Sequence, residues 1–132
     1  MRRNRSIPDS VIIPELTYRD VREAVDWLCR VFGFRERLQI ANHRSQLLHG
    51  SGAIVVKEGD NRGSSMLMRI EDVDGHYAHS KESGAKIVNQ PANHPYGERQ
   101  YVVEDLGGHR WTFSQTIADA HPRDWGGILI ED

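Results

Sequence analysis

Tyr96-Gly97-Glu98-Arg99-Gln100-Tyr101-Val102-Val103-Glu104-Asp105-Leu106-Gly107-Gly108-His109-Arg110-Trp111-Thr112-Phe113 reads as strand, tight turn, strand. Runs of β-branched and aromatic residues flank Asp105-Leu106-Gly107-Gly108, whose glycines can supply the positive φ of a short hairpin connection. The same outline occurs earlier, as Ser45 to His49, Gly50-Ser51-Gly52, then Ala53 to Lys57. The chain is a doubled unit.

The repeat extends backwards through a helix in each half. Asp20 is placed to N-cap a helix with apolar residues Val21, Val25, Leu28, Cys29 and Phe32 at helical spacing, Glu23 completing a capping box and Gly33 closing the element. Asp72 opens a shorter, more polar helix carrying Val73, Tyr77 and Ser80 and closed by Gly84. A strand precedes each helix, Val11 to Leu16 and Ser65 to Ile70, and three strands follow each. The expected fold is α+β: two tandem β-α-β-β-β modules, about 8–60 and about 64–116, with Asn61 to Ser64 as the join and 117–132 as a C-terminal tail.

That order, with the phrases LTYRDVREAVDWLCRVFGF, EDVDGHYAHSKESGAKI and YGERQYVVEDLGGHRWTF, resembles the vicinal oxygen chelate superfamily, the glyoxalase, bleomycin-resistance and extradiol-dioxygenase group. The resemblance covers about residues 8–116. It implies curved mixed sheets around a concave cavity, with the helices on the outer face. The hairpin turn usual in that family reads DPDG and here reads DLGG, which alters the turn and leaves the fold intact. One scaffold hosts unrelated chemistries there, so function has to be argued from the site.

With 132 residues, 38% of them hydrophobic, the chain can bury one core, and it is read as a single domain. A net charge of −2 argues against general nucleic-acid binding, since Arg2, Arg3 and Arg5 begin no basic stripe. No segment approaches the roughly 20 apolar residues of a membrane span, and the basic start precedes no signal-length apolar run. No membrane association and a cytoplasmic location are expected. The lone Cys29 excludes an internal disulfide and sits on the apolar helix face, where it reads as a buried hydrophobe.

Period-two alternation assigns faces to the strands. Ile12, Pro14 and Leu16 should lie against the helix, with Val11, Ile13 and Glu15 toward the cavity. In the second half Met66, Met68 and Ile70 should enter the core, leaving Ser65, Leu67 and Arg69 on the concave side. Trp111 and Phe113 should support the helix layer, leaving Arg110, Thr112 and Ser114 to face the cavity.

Metal-dependent members of the resembled family place His or Glu, sometimes Gln, at four concave positions. A divalent ion needs several nitrogen or oxygen ligands converging at about 2.0–2.2 Å. The corresponding positions here are Ile13, Val55 or Val56, Ser65 and Thr112, none a strong ligand. No metal and no cofactor are expected. His76 and His79, three apart on the polar helix, read as solvated surface residues, and His109 as bonded locally at the turn. His49 borders the first hairpin and His43 its preceding loop, and either could reach the cavity rim. His94 falls in Pro91-Ala92-Asn93-His94-Pro95-Tyr96-Gly97, a loop that commonly closes over the pocket in the family. Glu15 is read as a ligand anchor or base facing Arg69, or as half of a structural ion pair. The tail residue Trp125 either covers the cavity or meets a partner subunit, with disorder after Gly126 a further alternative.

The preferred reading is a metal-free small-molecule binding protein like the bleomycin-resistance branch, sequestering an antibiotic or metabolite. It would act as a homodimer in which two chains wall each pocket, because a face lined by Ile13, Leu67 and Val55 or Val56 would otherwise be exposed. Ile13 and Leu67 would floor the pocket, and Glu15, Arg69 and Arg110 would orient the ligand, with His49, Ser65, His94, Thr112 and Trp125 completing the lining. The enzyme alternative is a metal-dependent lyase, isomerase or dioxygenase with a ligand set drawn from Glu15, His49, Glu58 or His94. A third alternative is an interaction module with a vestigial pocket.

Overall fold

A computed structural model describes residues 3–60 and 63–131. Part of the expected join, Asn61 and Arg62, and the basic-start residue Arg2 lie outside the described residues. The elements in chain order are β1 (Glu15–Tyr18), α1 (Val21–Trp27) continued by a π-helical turn (Leu28–Phe32), β2 (Arg35–Ile40), β3 (Arg44–His49) and β4 (Gly52–Glu58). The second series is β5 (Ser65–Arg69), α2 (Val73–Glu82), β6 (Lys86–His94), β7 (Glu98–Glu104) and β8 (Arg110–Thr116), followed by a 3-10 turn, Pro122–Asp124. The strands form two four-stranded mixed sheets, ordered β1-β4-β3-β2 and β5-β8-β7-β6, with β1 and β5 each parallel to the last strand of its module. Two compact units result: residues 1–64 with 105–109, and residues 65–104 with 110–132.

Within the first unit, Asp20 Oδ1 accepts from the Glu23 N–H at 3.1 Å, the N-cap that frees α1 to begin at Val21. Val21, Ala24, Val25, Leu28, Val31 and Phe32 are buried at helical spacing. They pack α1 onto β3 and β4, above Leu16, Leu47 and Val56, which are fully buried. Arg22 on α1 makes a two-pronged bond to Glu36 on β2 at 2.7 and 2.9 Å, so the guanidinium beside Glu36 holds that carboxyl below the usual carboxylate range. Cys29 is half-buried rather than buried, because the π-helical turn widens the helix there; burial still pushes its thiol upward.

The first strand is displaced from its expected span. Pairing begins at Glu15 instead of Val11, because Pro14 has no N–H; its carbonyl accepts from Val55 N at 2.9 Å, and the regular ladder starts one residue later. Val11 and Ile12 are exposed, so Ile12 does not lie against the helix. The parity holds from Glu15 onward, with Leu16 and Tyr18 buried and Glu15 exposed.

In the second unit, Asp72 Oδ1 caps α2 through the Gly75 N–H at 3.0 Å, and Val73 and Ser80 are fully buried. Trp111, Phe113 and Tyr101 form a stacked aromatic layer beneath α2, with centroids 6.2 and 5.5 Å apart. His76 is not solvated: its ring lies 4.1 Å from that of Phe113, and its Nδ1 is 2.5 Å from the Tyr101 hydroxyl. The Tyr101 hydroxyl also lies 2.9 Å from Ser80 Oγ, and burial pushes the phenol up to about 12. A polar helix therefore still docks, because its His and Ser satisfy the one buried hydroxyl of an aromatic floor.

The β7–β8 connection, Asp105 to His109, belongs to the first unit. The Asp105 carboxylate accepts from Gly107 N, His109 N and the Tyr18 hydroxyl at 2.9, 3.0 and 2.6 Å. Burial, reinforced by the Asp105 charge, pushes the Tyr18 phenol far above its ordinary range. Gly108 takes the positive φ, 85°, that the turn requires. Gly107 is needed for a different reason: a Cβ there would stand 2.5 Å from the Tyr18 ring. His109 is fully buried, with Nε2 at 2.8 Å from the Thr17 carbonyl and Nδ1 accepting from Ser64 N at 3.3 Å.

Candidate functional site

Residues paired across a sheet share a face, so the register of β5, β8, β7 and β6 fixes what the side away from α2 carries. One row runs Ser65, Arg110, Glu104 and Lys86; the next runs Leu67, Thr112, Val102 and Asn89; a third runs Arg69, Ser114, Gln100 and Ala92; the last joins Thr116, Glu98 and His94. Six of the residues expected to line the pocket, Ser65, Leu67, Arg69, His94, Arg110 and Thr112, thus lie on one face of one sheet. Leu67 is 69% exposed in its middle. His94 ends β6 rather than sitting in a loop, since it pairs with Glu98.

The polar rows are joined by hydrogen bonds. Tyr96 OH donates to Gln100 Oε1 at 2.9 Å, Gln100 Nε2 to Ser114 Oγ at 3.0 Å, and Ser114 Oγ to Glu98 Oε1 at 2.7 Å. Ser114 is therefore buried rather than presented freely. Its hydroxyl, with help from Thr116 and the Arg69 charge, holds Glu98 below the usual carboxylate range. Arg69 makes no hydrogen bond or ion pair with another described residue, whereas Arg110 stands 3.9 Å from Glu104. Beside this face the rings of His94 and Tyr96 stack at 5.1 Å, and Trp125 from the tail meets Tyr96 edge-on at 5.7 Å. The tail indole is thus anchored in its own chain. Glu98, Gln100 and Tyr96 escaped the sequence reading, because polar residues on a half-exposed strand look like ordinary surface. For Gln100 the signal was parity, since it pairs with Ser114, a residue of β8 assigned to the open side; Glu98 continues the same alternation opposite Thr116, and Tyr96 precedes the strand.

The first unit places its residues differently. Val55, not Val56, shares the open side with Glu15, to which it is paired, while Val56 faces α1. Glu15 is bound by Lys57 Nζ at 2.8 Å and Arg44 Nη2 at 2.9 Å, and these bonds, Lys57's the stronger, keep its carboxyl below the usual range. It is half of a structural ion-pair cluster. His49 lies on the same side of β3 as buried Leu47, edge-on to Phe34 at 5.7 Å. Ile13 precedes the strand and is half-buried.

The expected apolar opening on this sheet does not exist, because residues 4–10 lie over it. Gln46 Nε2 donates to the Ser6 carbonyl at 2.9 Å, Arg37 Nη2 to the Arg5 carbonyl at 2.8 Å, and Ser10 Oγ to the Ser51 carbonyl at 2.8 Å. Pro8 is buried, and Val55, Gln46 and Ala53 are each 5% exposed.

At the four positions the resemblance assigns to metal ligands stand Ile13, Val55, Ser65 and Thr112, two alkyl groups and two hydroxyls. That donor set does not fit a divalent ion. Among the described residues no group of three or more His, Cys, Asp or Glu is arranged to hold one. Nor is any helix among them long and apolar enough to cross a membrane.

The sequence model of the Glyoxalase/Bleomycin resistance protein/Dioxygenase superfamily matches residues 11–113. The crystal structure of TioX from Micromonospora sp. ML1 is 36% identical, covering 81% of this chain and 98% of that one, with a TM-score of 0.75. Two more distant structures share the fold. TnmS3, an antibiotic binding protein from Streptomyces sp. CB03234, is 21% identical over 79% of this chain and 93% of that one, TM-score 0.65. The fosfomycin resistance protein FosX from Listeria monocytogenes is 16% identical over 83% and 94%, TM-score 0.68.

Proposed function

The chain belongs to the glyoxalase/bleomycin resistance protein/dioxygenase superfamily, and on that premise we propose that it is a metal-free small-molecule binding protein whose ligand lies on the open face of the second sheet. One observation carries the reading: a 69%-exposed Leu67 stands mid-face beside Arg69, a guanidinium with no hydrogen-bond or ion-pair partner among the described residues. An apolar floor flanked by a few oriented polar groups is the pattern of a ligand site. Leu67 and Val102 take the flat apolar body of the ligand, and Arg69 takes an acceptor group such as a carbonyl or carboxylate. The bonded row Tyr96, Gln100, Ser114 and Glu98 is already ordered, so little side-chain freedom is lost on binding. That TnmS3 is an antibiotic binding protein makes an antibiotic or a related metabolite the ligand class to try first.

The protein works as a cytoplasmic homodimer in this reading. Leu67 together with Ile128 and Ile130 of the tail, 88% and 94% exposed, leaves apolar area that a second copy would cover. Light scattering at micromolar concentration should return twice the 15.1 kDa chain mass; a monomer mass removes the shared-pocket part of the proposal. Elemental analysis of untagged protein should find substoichiometric zinc, nickel, iron and manganese. One tightly held ion per chain, stripped by a chelator together with activity, would overturn the metal-free reading.

The ligand test is a thermal-shift panel of aromatic natural-product antibiotics with fosfomycin as the small anionic member. A compound bound only by the folded state raises the melting temperature. At least one aromatic member should shift the wild type and shift Arg69→Ala much less. A panel that shifts neither protein, or both equally, counts against this face.

A further inference from the structure

Where β5 ends and the chain turns toward α2, a cavity of about 400 Å³ opens, lined by Arg69, Ile70, Glu71, Gln115 and Thr116. All five residues belong to the second unit. Parity puts Arg69 and Thr116 on the open side of the sheet and Gln115 on the side of α2, so the cavity wraps the end of the sheet instead of lying on its face. Gln115 is oriented there: its Oε1 accepts from the Val73 N–H at 2.9 Å, which leaves Nε2, a donor, as the other end of the amide. The neighbouring acids are committed. Asp72 accepts from Gly75 N at 3.0 Å, Asp74 from Arg99 Nε at 3.0 Å, and Glu98 from Ser114 Oγ at 2.7 Å. Arg69 and Glu71 remain, exposed and opposite in sign on one cavity, and neither is joined to the other or to any further described residue by a hydrogen bond or ion pair. A lone anion in the cavity would meet the Glu71 carboxylate, and a lone amine the Arg69 guanidinium. A group that carries both charges on one carbon satisfies both. Leu67, 69% exposed, stands two residues back on the same side of β5 as Arg69, about 6.6 Å along the strand.

We propose that this cavity binds the zwitterionic head of an α-amino acid, its carboxylate on Arg69 and Gln115 and its ammonium on Glu71, with a flat apolar side chain running back over Leu67. The inference rests on the open-face reading above and names a ligand class for it: a molecule with an aromatic body and an uncapped α-amino-acid head. Selectivity follows from the pair. Removing either charge from the ligand loses one charge-assisted hydrogen bond and leaves the facing protein charge opposed or unmet.

The test is isothermal titration calorimetry of the full chain with three probes that share an indole: L-tryptophan, indole-3-propionate, which lacks the ammonium, and tryptamine, which lacks the carboxylate. The wild type should bind tryptophan at least about tenfold more tightly than either analogue. Glu71→Gln should bring tryptophan level with indole-3-propionate, and Arg69→Gln should bring it level with tryptamine. Both side chains are exposed, so both variants should keep the wild-type melting curve. The proposal is overturned if the wild type binds tryptophan no better than the analogues, or if Glu71→Gln keeps the preference for it over indole-3-propionate. Indole-3-propionate bound as tightly as tryptophan, and lost in Arg69→Gln and Leu67→Asp, would overturn the zwitterion and leave the open-face reading standing. If none of the three probes binds, the amino-acid head is overturned, and the open-face reading is decided by the antibiotic panel alone.

Discussion

The two sheets have the same strand order and the same parity, yet the side of each that faces away from its helix has a different fate. On the first, Val55 is 5% exposed beneath the chain's own residues 4–10; on the second, Leu67 is 69% exposed. Duplication supplies two equivalent faces, and a short N-terminal segment is enough to close one. Function can then be concentrated on the face left open without redesigning either module.

The largest expected effects test the face assignment in the second sheet. Trp111→Ala and Phe113→Ala remove aromatic area that is 1% and 0% exposed and should each destabilise by about 3–5 kcal/mol in chemical denaturation. Thr112→Ala and Arg69→Ala, on the other side of the same sheet, should stay within about 0.5 kcal/mol. A tolerant Trp111 with an intolerant Thr112 would mean the two sides are exchanged.

The contrast between the sheets is tested directly by Val55→Ala and Leu67→Ala. Under its cover Val55→Ala should cost about 2 kcal/mol, the transfer of two methylene equivalents plus a small cavity. Leu67→Ala should cost within about 0.5 kcal/mol despite the larger deletion, because that side chain already meets solvent. Equal costs would show that the cover over the first sheet does not persist in solution. Gln46→Leu should then lower the cost at Val55 if the segment is what buries it.

A smaller effect separates the faces by acid. Glu15 on the first sheet and Glu98 on the second both have folded pKa values below the free value of 4.5, the first through Lys57 and Arg44, the second through Ser114. In acid the folded chain therefore holds fewer protons on these groups than the unfolded chain. Their stabilisation is complete above about pH 4.5 and is lost as pH falls through the lower folded values. Urea midpoints should fall in that range, and Glu15→Gln and Glu98→Gln should each flatten the fall. Both carboxylates are open to solvent, so the steps are small and shrink in salt. A slope unchanged by either substitution would remove these two groups as its source.

Much of this was legible because alternation and repetition are local signals. The capped helices at Asp20 and Asp72, the paired hairpins, and the outward set Ser65, Leu67 and Arg69 all follow from residue spacing. The start of β1 was misplaced because Val11 to Ile13 have strand-like side chains, while the missing N–H of Pro14 decides where pairing begins. Residues 4–10 have no periodicity, and their hold on the first sheet depends on backbone carbonyls that no side chain announces. His76 looked like surface because its burial comes from Phe113 and Tyr101, elements far away in sequence.

The contact of Gly107 with Tyr18 has a consequence for how the chain can vary over generations. A Cβ at 107 would press into the ring of residue 18, whose hydroxyl is in turn held by residue 105. Positions 18, 105 and 107 are therefore coupled: a side chain at 107 calls for a smaller residue at 18, and a smaller residue at 18 removes the hydroxyl bond of the carboxylate at 105 and leaves it the two from the turn's N–H groups. Among relatives the turn and the end of the first strand should be inherited as one triplet. A member with DPDG in place of DLGG, having a third turn residue with a side chain, is expected to carry something other than tyrosine at the position of Tyr18.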